Sequence, residues 1–283
     1  MDGTEFFDKQ EEIRKKSKLY HFLGTWLLVA AIICLMIGVK VKIFIVIGFI
    51  LLVCAFVFIG LKMKVDNETK VVYKKEVVEK ILNRNFQDVC YDWNNGFTKE
   101  DIKKMYLLDT GSILYSEDHL AAKYKGIGFE QADLTIYKDY ISVPNNIRVN
   151  VFRGRVIVID APQKTAFVRA TSKKFYAYKC SAARVEMESV RFNKEFDVYA
   201  VNPQEAFLVF TPMMMNKIMT LFCSEGNIGV TFLGGKMYVA INSYRNAFES
   251  GKLRDLDYEE EVRKIEREID VIKIFIDTIY DKT

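Results

Sequence analysis

The chain has few of the residues that enzymes use most often for acid–base chemistry and metal binding. Its 283 residues include two histidines and five cysteines, and no C-x-x-C pair. Histidine is the commonest general base near neutral pH, and zinc sites need clustered histidine and cysteine ligands. The sequence therefore predicts no catalytic residues and no metal site. Its scattered carboxylates leave a glycosidase-like pair open without pointing to one.

The two histidines have ordinary structural interpretations. His21 adjoins a long apolar run, where an amphipathic ring suits a membrane interface. His119 follows the polar stretch Ser116-Glu117-Asp118, which predicts a solvated turn. The alternative is a Cys–His nucleophile pair, for which the sequence has no local motif. The candidate partners of His119 in such a pair are Cys90, Cys180 and Cys223.

The sequence also lacks the usual signals of linkers, nucleotide loops and nucleic-acid binding. Only four prolines and no Ser/Gly-rich tract occur, so no flexible linker is predicted. Gly126-Ile127-Gly128 lacks the third glycine of a dinucleotide loop, and Gly234-Gly235 lacks the Lys-Ser/Thr of a phosphate loop. The net charge of +4 is dispersed along the chain. We therefore expect no cofactor and no nucleic-acid partner.

Two long apolar runs dominate the N-terminal part of the chain. Leu23–Val39 and Ile43–Leu61 contain no charged residue, and each is close to the length that an α-helix needs to cross a bilayer. They predict a transmembrane helical hairpin at residues 23–61, after an N-terminal segment at residues 1–22. A cleaved signal peptide is the alternative for the first run, but a second run follows it at once.

Small and basic residues give this hairpin a predicted packing and orientation. We expect close helix packing at Ala30, Ala31, Gly38, Gly48, Ala55 and Gly60. Basic residues are more numerous before and after the hairpin than in its turn, which holds only Lys40 and Lys42. Because an excess of Lys and Arg marks the cytoplasmic side, both termini are predicted to be cytoplasmic. The odd, unpaired cysteines outside the spans fit a reducing compartment.

Residues 62–250 carry the pattern of an α+β domain with mostly antiparallel strands. Helical spacing extends from Thr69 to about Trp93, and further helices begin after Thr98, Asn202 and Thr211. The predicted strands are Asp133–Tyr137, Ile147–Phe152, Val156–Asp160, Thr165–Ala170, Phe175–Tyr178, Val185–Val190, Phe196–Ala200, Ile228–Leu233 and Lys236–Asn242. Gly234-Gly235 predicts a two-residue hairpin, whereas Arg153-Gly154-Arg155 fits either a hairpin or a bulge.

Residues 251–283 are predicted to form a C-terminal amphipathic helix. Its apolar positions alternate steps of four and three from Tyr258 to Ile279, and the stripe widens after Ile269. A broad stripe favours docking on the domain body, and self-association through this helix is the alternative.

One run interleaves basic and aromatic residues and is the candidate site of the domain. It consists of Lys173, Lys174, Tyr176, Tyr178 and Lys179. The functional interpretation is a lipid-facing patch that contacts anionic headgroups beside the anchor. The structural alternative is an edge strand whose lysines prevent mispairing.

Three motifs resemble a known family when they are taken together. They are Tyr124–Asp133, Phe152–Val156, and Arg191–Tyr199 with the following Asn202–Ala206 and Leu208–Pro212. In order and spacing they are similar to the bacterial domain-of-unknown-function family numbered 3137, over roughly Tyr73–Phe248 and the preceding spans. The resemblance implies a bacterial, membrane-anchored protein without an assigned activity, and it supplies no functional residues.

These observations lead to one leading hypothesis and one alternative. The leading hypothesis is an inner-membrane protein with two spans, whose cytoplasmic domain binds a protein or small-molecule partner at the bilayer. The alternative is a membrane-tethered enzyme of unrecognised type.

Overall fold

The computed structural model describes residues 3–141, 146–248 and 258–280. The chain forms two compact units. The first contains the described residues up to Lys80 and the start of the last helix, as far as Val262. The second contains Ile81 to Phe248 and the remainder of that helix. The predicted C-terminal helix lies partly at residues 251–257 and 281–283, outside the described residues.

The first unit is a helical hairpin, and it confirms two helices long and apolar enough to span a membrane. Helix α1 (Gly3–Gly38) extends through the predicted N-terminal segment, and α2 begins after a short turn at Ile43. Helix α2 (Ile43–Tyr73) continues without a break through a π-helical turn (Lys74–Val78) into α3 (Glu79–Asn85). Large apolar side chains of the spans, such as Trp26 and Phe56, are exposed, as lipid-facing residues would be.

Small residues at seven-residue intervals let α1 and α2 pack closely. Gly24, Ala31 and Gly38 face α2, and Gly48 and Ala55 face α1. A Cβ at position 48 would lie 2.8 Å from Leu35 Cγ and 3.2 Å from the Ala31 carbonyl. Of the six predicted packing residues, Ala31, Gly38, Gly48 and Ala55 are buried. Ala30 is half-buried, and Gly60 is exposed with nothing near its Cβ position.

The second unit contains a nine-stranded antiparallel sheet within the described residues. The strands are β1 (Gln87–Asp92), β2 (Ile113–Tyr124), β3 (Ile127–Ile141), β4 (Asn146–Asp160), β5 (Val168–Ser172), β6 (Ala183–Val185), β7 (Phe196–Ala200), β8 (Asn227–Leu233) and β9 (Lys236–Asn242). Their order in the sheet is β1-β2-β3-β4-β9-β8-β5-β7-β6. The remaining helices are α4 (Lys99–Lys104), α5 (Val190–Glu195), α6 (Pro203–Val209), α7 (Pro212–Glu225) and α8 (Tyr258–Tyr280). The predicted α+β class with antiparallel strands is confirmed.

Helices pack against both faces of this sheet. On one face, Ile102 of α4 and the following Leu107 pack against Val156 of β4. Because side chains alternate along a strand, the neighbouring Arg155 points to the other face. There its guanidinium contacts the Glu268 carboxylate of α8 at 2.5 Å and the Glu268 carbonyl at 2.9 Å.

The apolar stripe of α8 is buried within the chain itself. Ile265, Ile269, Ile272, Ile276 and Ile279 are all buried in the second unit. This burial agrees with docking of the helix on the domain body. Self-association through the helix stays an untested prediction.

Local turn and cap signals were reliable guides to several elements. Thr98 caps α4 in a reciprocal capping box with Asp101, and Asn202 and Thr211 cap α6 and α7, each with proline at the start. Gly234 and Gly235 have φ angles of 61° and 86° and join β8 to β9. These predictions are confirmed.

Other predicted elements are wrong, chiefly where helical and strand spacing overlap. The helix expected to reach about Trp93 ends at Asn85, and the next residues form β1. Phe175–Tyr178 is a loop with one bridge, Leu108 to Ala177, instead of a strand. The strand expected at Val185–Val190 ends at Val185, and α5 begins at Val190.

Arg153-Gly154-Arg155 forms no hairpin, because β4 runs straight through it. A Cβ at Gly154 would lie 1.9 Å from the Ile241 carbonyl oxygen on β9, so a larger residue would push the paired strands apart. The register between β3 and β4 shifts at a different place. Ile136 pairs with Phe152, and the next residue of β3, Tyr137, pairs with Asn150. Both earlier interpretations, the hairpin and a bulge at the glycine, are therefore wrong.

Candidate functional site

A cleft of about 780 Å³ opens beside β5 and β7 in the second unit. Tyr106, Phe167 and Val201 line one part of it, and the loop from Tyr178 to Ala183 lines another. Its volume falls within the range of small-molecule sites. Aromatic walls with a few polar groups are also typical of such sites, so this cleft is the candidate functional site.

The buried side chain of Arg169 lies behind the wall of this cleft. Arg169 is 3% exposed, and its Nη1 donates to the carbonyls of Tyr106 at 3.1 Å and Tyr178 at 2.7 Å. The guanidinium carbon lies 5.6 Å from the ring centres of Phe167 and Tyr199. Tyr106, Phe167 and Tyr178 also line the cleft, which we therefore call the Arg169 cleft.

Arg169 carries a charge without a described acidic partner. Among the described residues, no carboxylate pairs with Arg169, and its buried Nε has no hydrogen-bond partner. Burial lowers the pKa of the guanidinium, although arginine remains protonated at physiological pH. An unpaired buried charge is costly, so an anion bound nearby would be stabilised.

The neighbouring strand β8 supplies a second buried polar atom that lacks a hydrogen-bond partner. Arg169 of β5 pairs directly with Thr231 of β8, which pairs in turn with Tyr238 of β9. Within the part of the chain that the structure describes, the buried Thr231 Oγ1 has no hydrogen-bond partner. Directly paired residues place their side chains on one face of a sheet, so Nε of Arg169 and Oγ1 of Thr231 share that face.

Tyr106 adopts a backbone conformation that is uncommon for a tyrosine. Its φ angle is +52°, and this conformation directs its carbonyl to Arg169. Its ring packs edge-on against Phe167, at 6.4 Å, and against Tyr178, at 5.7 Å. Residues held in sparsely populated backbone regions cluster at binding sites, which supports this location.

A cysteine and a lysine complete the electrostatic environment of the cleft. Cys180 is half-buried and near enough to Arg169 to interact with its charge. Lys179 is exposed at the rim. The cleft thus has aromatic walls, one thiol and one lysine, with the buried charge of Arg169 behind the wall, an arrangement suited to binding an anion with an apolar part.

The structure divides the predicted basic and aromatic run into two groups. Tyr178 and Lys179 line the Arg169 cleft, whereas Lys173 and Lys174 are exposed in the turn after β5. Tyr176 is half-buried, and burial together with the nearby Asp109 raises its pKa to about 12. The edge-strand explanation is wrong because these residues form a loop. Contact of the run with lipid stays a prediction.

His119 does not approach a cysteine in any described contact. It lies on β2, and so the turn predicted there is wrong; its Nε2 is 3.2 Å from Glu130 and its ring packs edge-on against Phe97. Cys90 and Cys223 are exposed. Among the described residues, no cluster of three His, Cys, Asp or Glu side chains could hold a metal ion.

Sequence reasoning missed Arg169, the central residue of the site. A signal was present, because Arg169 stands between Val168 and Ala170 in a predicted strand that is otherwise apolar or small. An arginine in such a position lies on a solvent-exposed face of the sheet, or else it is buried and needs a hydrogen-bond acceptor. The hydrogen bond from Arg169 to the Tyr106 carbonyl could not be foreseen, because the two residues are 63 positions apart in the chain.

The two apolar helices and the antiparallel sheet define an α+β protein with a helical hairpin suited to membrane anchoring. Residues 149–280 match the model of the family described as Protein of unknown function (DUF3137). The match confirms the family resemblance drawn from the motifs. The matched region differs from the expected Tyr73–Phe248, because it starts within β4 and includes α8. Arg169 lies inside the matched region, and the motif Tyr124–Asp133 lies before it.

No curated protein matches the chain significantly. A solved structure, the crystal structure of the mycobacterial trehalose monomycolate transport factor A, TtfA, aligns over 71% of this chain and 93% of its own. The two are 13% identical, with a TM-score of 0.36. A likeness at that TM-score does not establish a shared fold.

Proposed function

We propose that this is a bacterial inner-membrane binding protein whose domain holds a small anionic ligand in the Arg169 cleft. The hairpin anchors the chain in the bilayer, with both termini and the sheet domain on the cytoplasmic side. The distribution of lysines around the apolar runs supports this orientation. The ligand carries an anionic group and a flat or apolar part.

The buried, acid-free Arg169 is the observation that carries this proposal. Burying a guanidinium beside neutral carbonyls and aromatic rings leaves most of its charge uncompensated. Arginine also recognises carboxylate and phosphate groups well, because its donors form a rigid planar fork. The buried Nε donor and the buried Thr231 hydroxyl each lack a hydrogen-bond partner among the described residues, so an oxygen or a water that reached them would satisfy both.

Cys180 offers a direct measurement of the charge in the cleft. We measure the rate constants of Cys180 with anionic iodoacetate and with neutral iodoacetamide, in the full-length protein in uncharged detergent micelles. A positive charge nearby should raise the iodoacetate rate constant relative to the iodoacetamide rate constant. The ratio of the two rate constants at Cys180 should exceed the ratio at the exposed Cys223 by at least about threefold. Peptide mass spectrometry resolves the individual cysteines.

Three variants separate the sources of this preference. Arg169→Met should bring the Cys180 ratio down to the Cys223 ratio, and Arg169→Lys, which keeps a cation, should retain part of it. Lys179→Gln tests the rim alone. An unchanged ratio in Arg169→Met, or a loss confined to Lys179→Gln, would contradict the role of Arg169.

The ligand class is tested by protection of the same thiol. Naphthalene-1-sulfonate combines a flat apolar ring with an anionic group, and it should slow iodoacetamide labelling of Cys180 in the wild type. The Arg169→Met variant should lose this protection, and the uncharged naphthalene-1-sulfonamide should protect neither protein. Equal protection by both compounds would rule out recognition of the anion.

A further inference from the structure

A second surface of the domain exposes large apolar side chains around the junction of α6 and α7. Val201 is 68% exposed, Phe207 44%, Leu208 57% and Met213 43%. These four residues form what we call the α6–α7 elbow. Single exposed apolar residues are common on proteins, but four within thirteen positions form a group that requires an explanation.

The elbow is held firmly by the opposite side of the same helices. Ala206 and Val209 of α6 and Met214 and Ile218 of α7 are buried in the domain. Together the two helices are apolar enough to meet the composition of a membrane span, but they are bent by 72° at their junction. A bent pair with one face packed in a domain presents only its other face, which suits a position in the plane of a bilayer interface.

Within the segment that forms the elbow the exposed charges are basic, whereas the exposed Glu186 and Glu188 precede that segment. From Val190 to Lys217, the exposed charged residues are Arg191, Lys194 and Lys217. The acidic residues of this segment are half-buried: Glu195, Asp197 and Glu205. Asp197 pairs with Arg184 at 2.9 Å, and Glu205 accepts a hydrogen bond from the backbone of Ala166 at 2.6 Å.

These cations lie beside the apolar group. Lys217 follows Met213 by four residues on α7 and so lies one turn along the same face. The helix of Arg191 and Lys194 adjoins the junction, because Phe192 of α5 lies 6.3 Å from Phe210, ring centre to ring centre. The surface therefore has an apolar centre and a basic rim.

We propose that the α6–α7 elbow inserts into the headgroup region of a bilayer that contains anionic lipids. An apolar centre with a basic rim is the composition of surfaces that lie on such membranes. The two apolar helices of the first unit are suited to a bilayer, so a membrane is the surface that this chain meets. The proposal does not depend on a ligand in the Arg169 cleft, although Val201 belongs to both surfaces.

Fluorescence quenching by lipids tests this contact in the full-length chain. The five native cysteines are replaced, and a single cysteine at Leu208→Cys is labelled with an environment-sensitive nitrobenzoxadiazole dye. The protein is placed in nanodiscs of phosphatidylcholine and phosphatidylglycerol at about three to one, with or without doxyl-labelled lipid. Tyr115→Cys is the matched control, because Tyr115 is 61% exposed on β2 of the same unit.

We expect doxyl lipid to quench at least about half of the emission at position 208 and little of it at position 115. Loss of quenching in an Arg191→Glu, Lys217→Glu variant would support the basic rim. Absence of quenching at position 208 would overturn the proposal, as would equal quenching at both positions. A blue-shifted but unquenched dye at 208 would assign the surface to a protein partner or a second copy instead.

Discussion

Two buried arginines show how differently one residue type can be used in this sheet. Arg155 and Arg169 are each 3% exposed. Arg155 has a carboxylate partner, Glu268, at 2.5 Å, whereas Arg169 has only neutral acceptors among the described residues. A paired buried charge is a structural feature, and an unpaired one is a place where an anion would be stabilised. The contrast is the strongest argument for placing function at Arg169.

This contrast predicts unequal effects of one substitution on stability. Arg155→Met should lower the free energy of unfolding by about 3–5 kcal/mol, because it leaves Glu268 buried without its main partner. Arg169→Met should cost only about 1–2 kcal/mol, since it leaves neutral carbonyls behind. Thermal unfolding of the full-length protein in detergent compares the two. A larger loss in Arg169→Met than in Arg155→Met would show that Arg169 is chiefly structural.

A carboxylate beyond the apolar part of the hairpin predicts a pH effect. Burial opposes ionisation of Asp66, but hydrogen bonds from Lys62 at 2.6 Å and Ser17 at 2.5 Å outweigh it and lower its pKa. A lowered folded-state pKa adds stability that is complete above the unfolded pKa, about 4, and is lost as pH falls through the folded value.

The matching measurement compares the wild type with Asp66→Asn across acidic pH. The wild type should be more stable at pH 6, and the difference should shrink as pH falls below about 4. Thermal unfolding in detergent gives both curves under identical conditions. A difference that stayed constant down to pH 3 would show that the Asp66 charge does not hold α1 to α2.

At the scale of elements, substitutions at two glycines, Gly48 and Gly60, test the packing of α1 on α2. Gly48→Leu should destabilise the packing of α1 on α2, because its Cβ alone would lie 2.8 Å from Leu35 Cγ. Overpacking of this kind typically costs about 1–3 kcal/mol. Gly60→Leu is the control, since nothing lies within 4 Å of its Cβ position. Cysteine cross-linking between the two helices should fall in the first variant and be unaffected in the second.

The sequence predicted best those elements that are specified by their own residues. The spans follow from run length, α6 and α7 from Asn-Pro and Thr-Pro starts, and the β8–β9 hairpin from two glycines. Strand β1 was missed because Val89 and Cys90 also fit helical spacing. The straight course of β4 through Gly154 depends on the Ile241 carbonyl of a distant strand, which no local pattern reveals.

The candidate site was only partly predictable for the same reason. Tyr178 and Lys179 stood out because basic and aromatic residues alternate around them. Arg169 gained its importance only when folding placed the carbonyls of Tyr106 and Tyr178 against it. Its missing acidic partner is a property of the assembled sheet, and the sequence, with 37 acidic residues, offered many apparent partners.

At the scale of the whole molecule, the decisive question is which side of the membrane carries the domain. The turn of the hairpin holds Lys40 and Lys42, while the flanks hold a larger number of basic residues, so the positive-inside rule favours a cytoplasmic domain. That location fits the absence of disulfides among the cysteines, all of which are free. A cytoplasmic domain would also face the leaflet whose anionic lipids attract basic residues, as the proposed insertion of the elbow requires.

A reporter fused after Thr283 should therefore be active as a cytoplasmic green fluorescent protein and inactive as an alkaline phosphatase. The native thiols give an independent measurement, because Cys90 and Cys223 are exposed and should react with a membrane-impermeant maleimide only after cells are permeabilised. Replacing Lys40 and Lys42 by glutamine removes the only basic residues of the turn and should leave both results unchanged. Labelling of Cys90 and Cys223 in intact cells would place the domain outside, and the thiol and leaflet arguments would both fail with it.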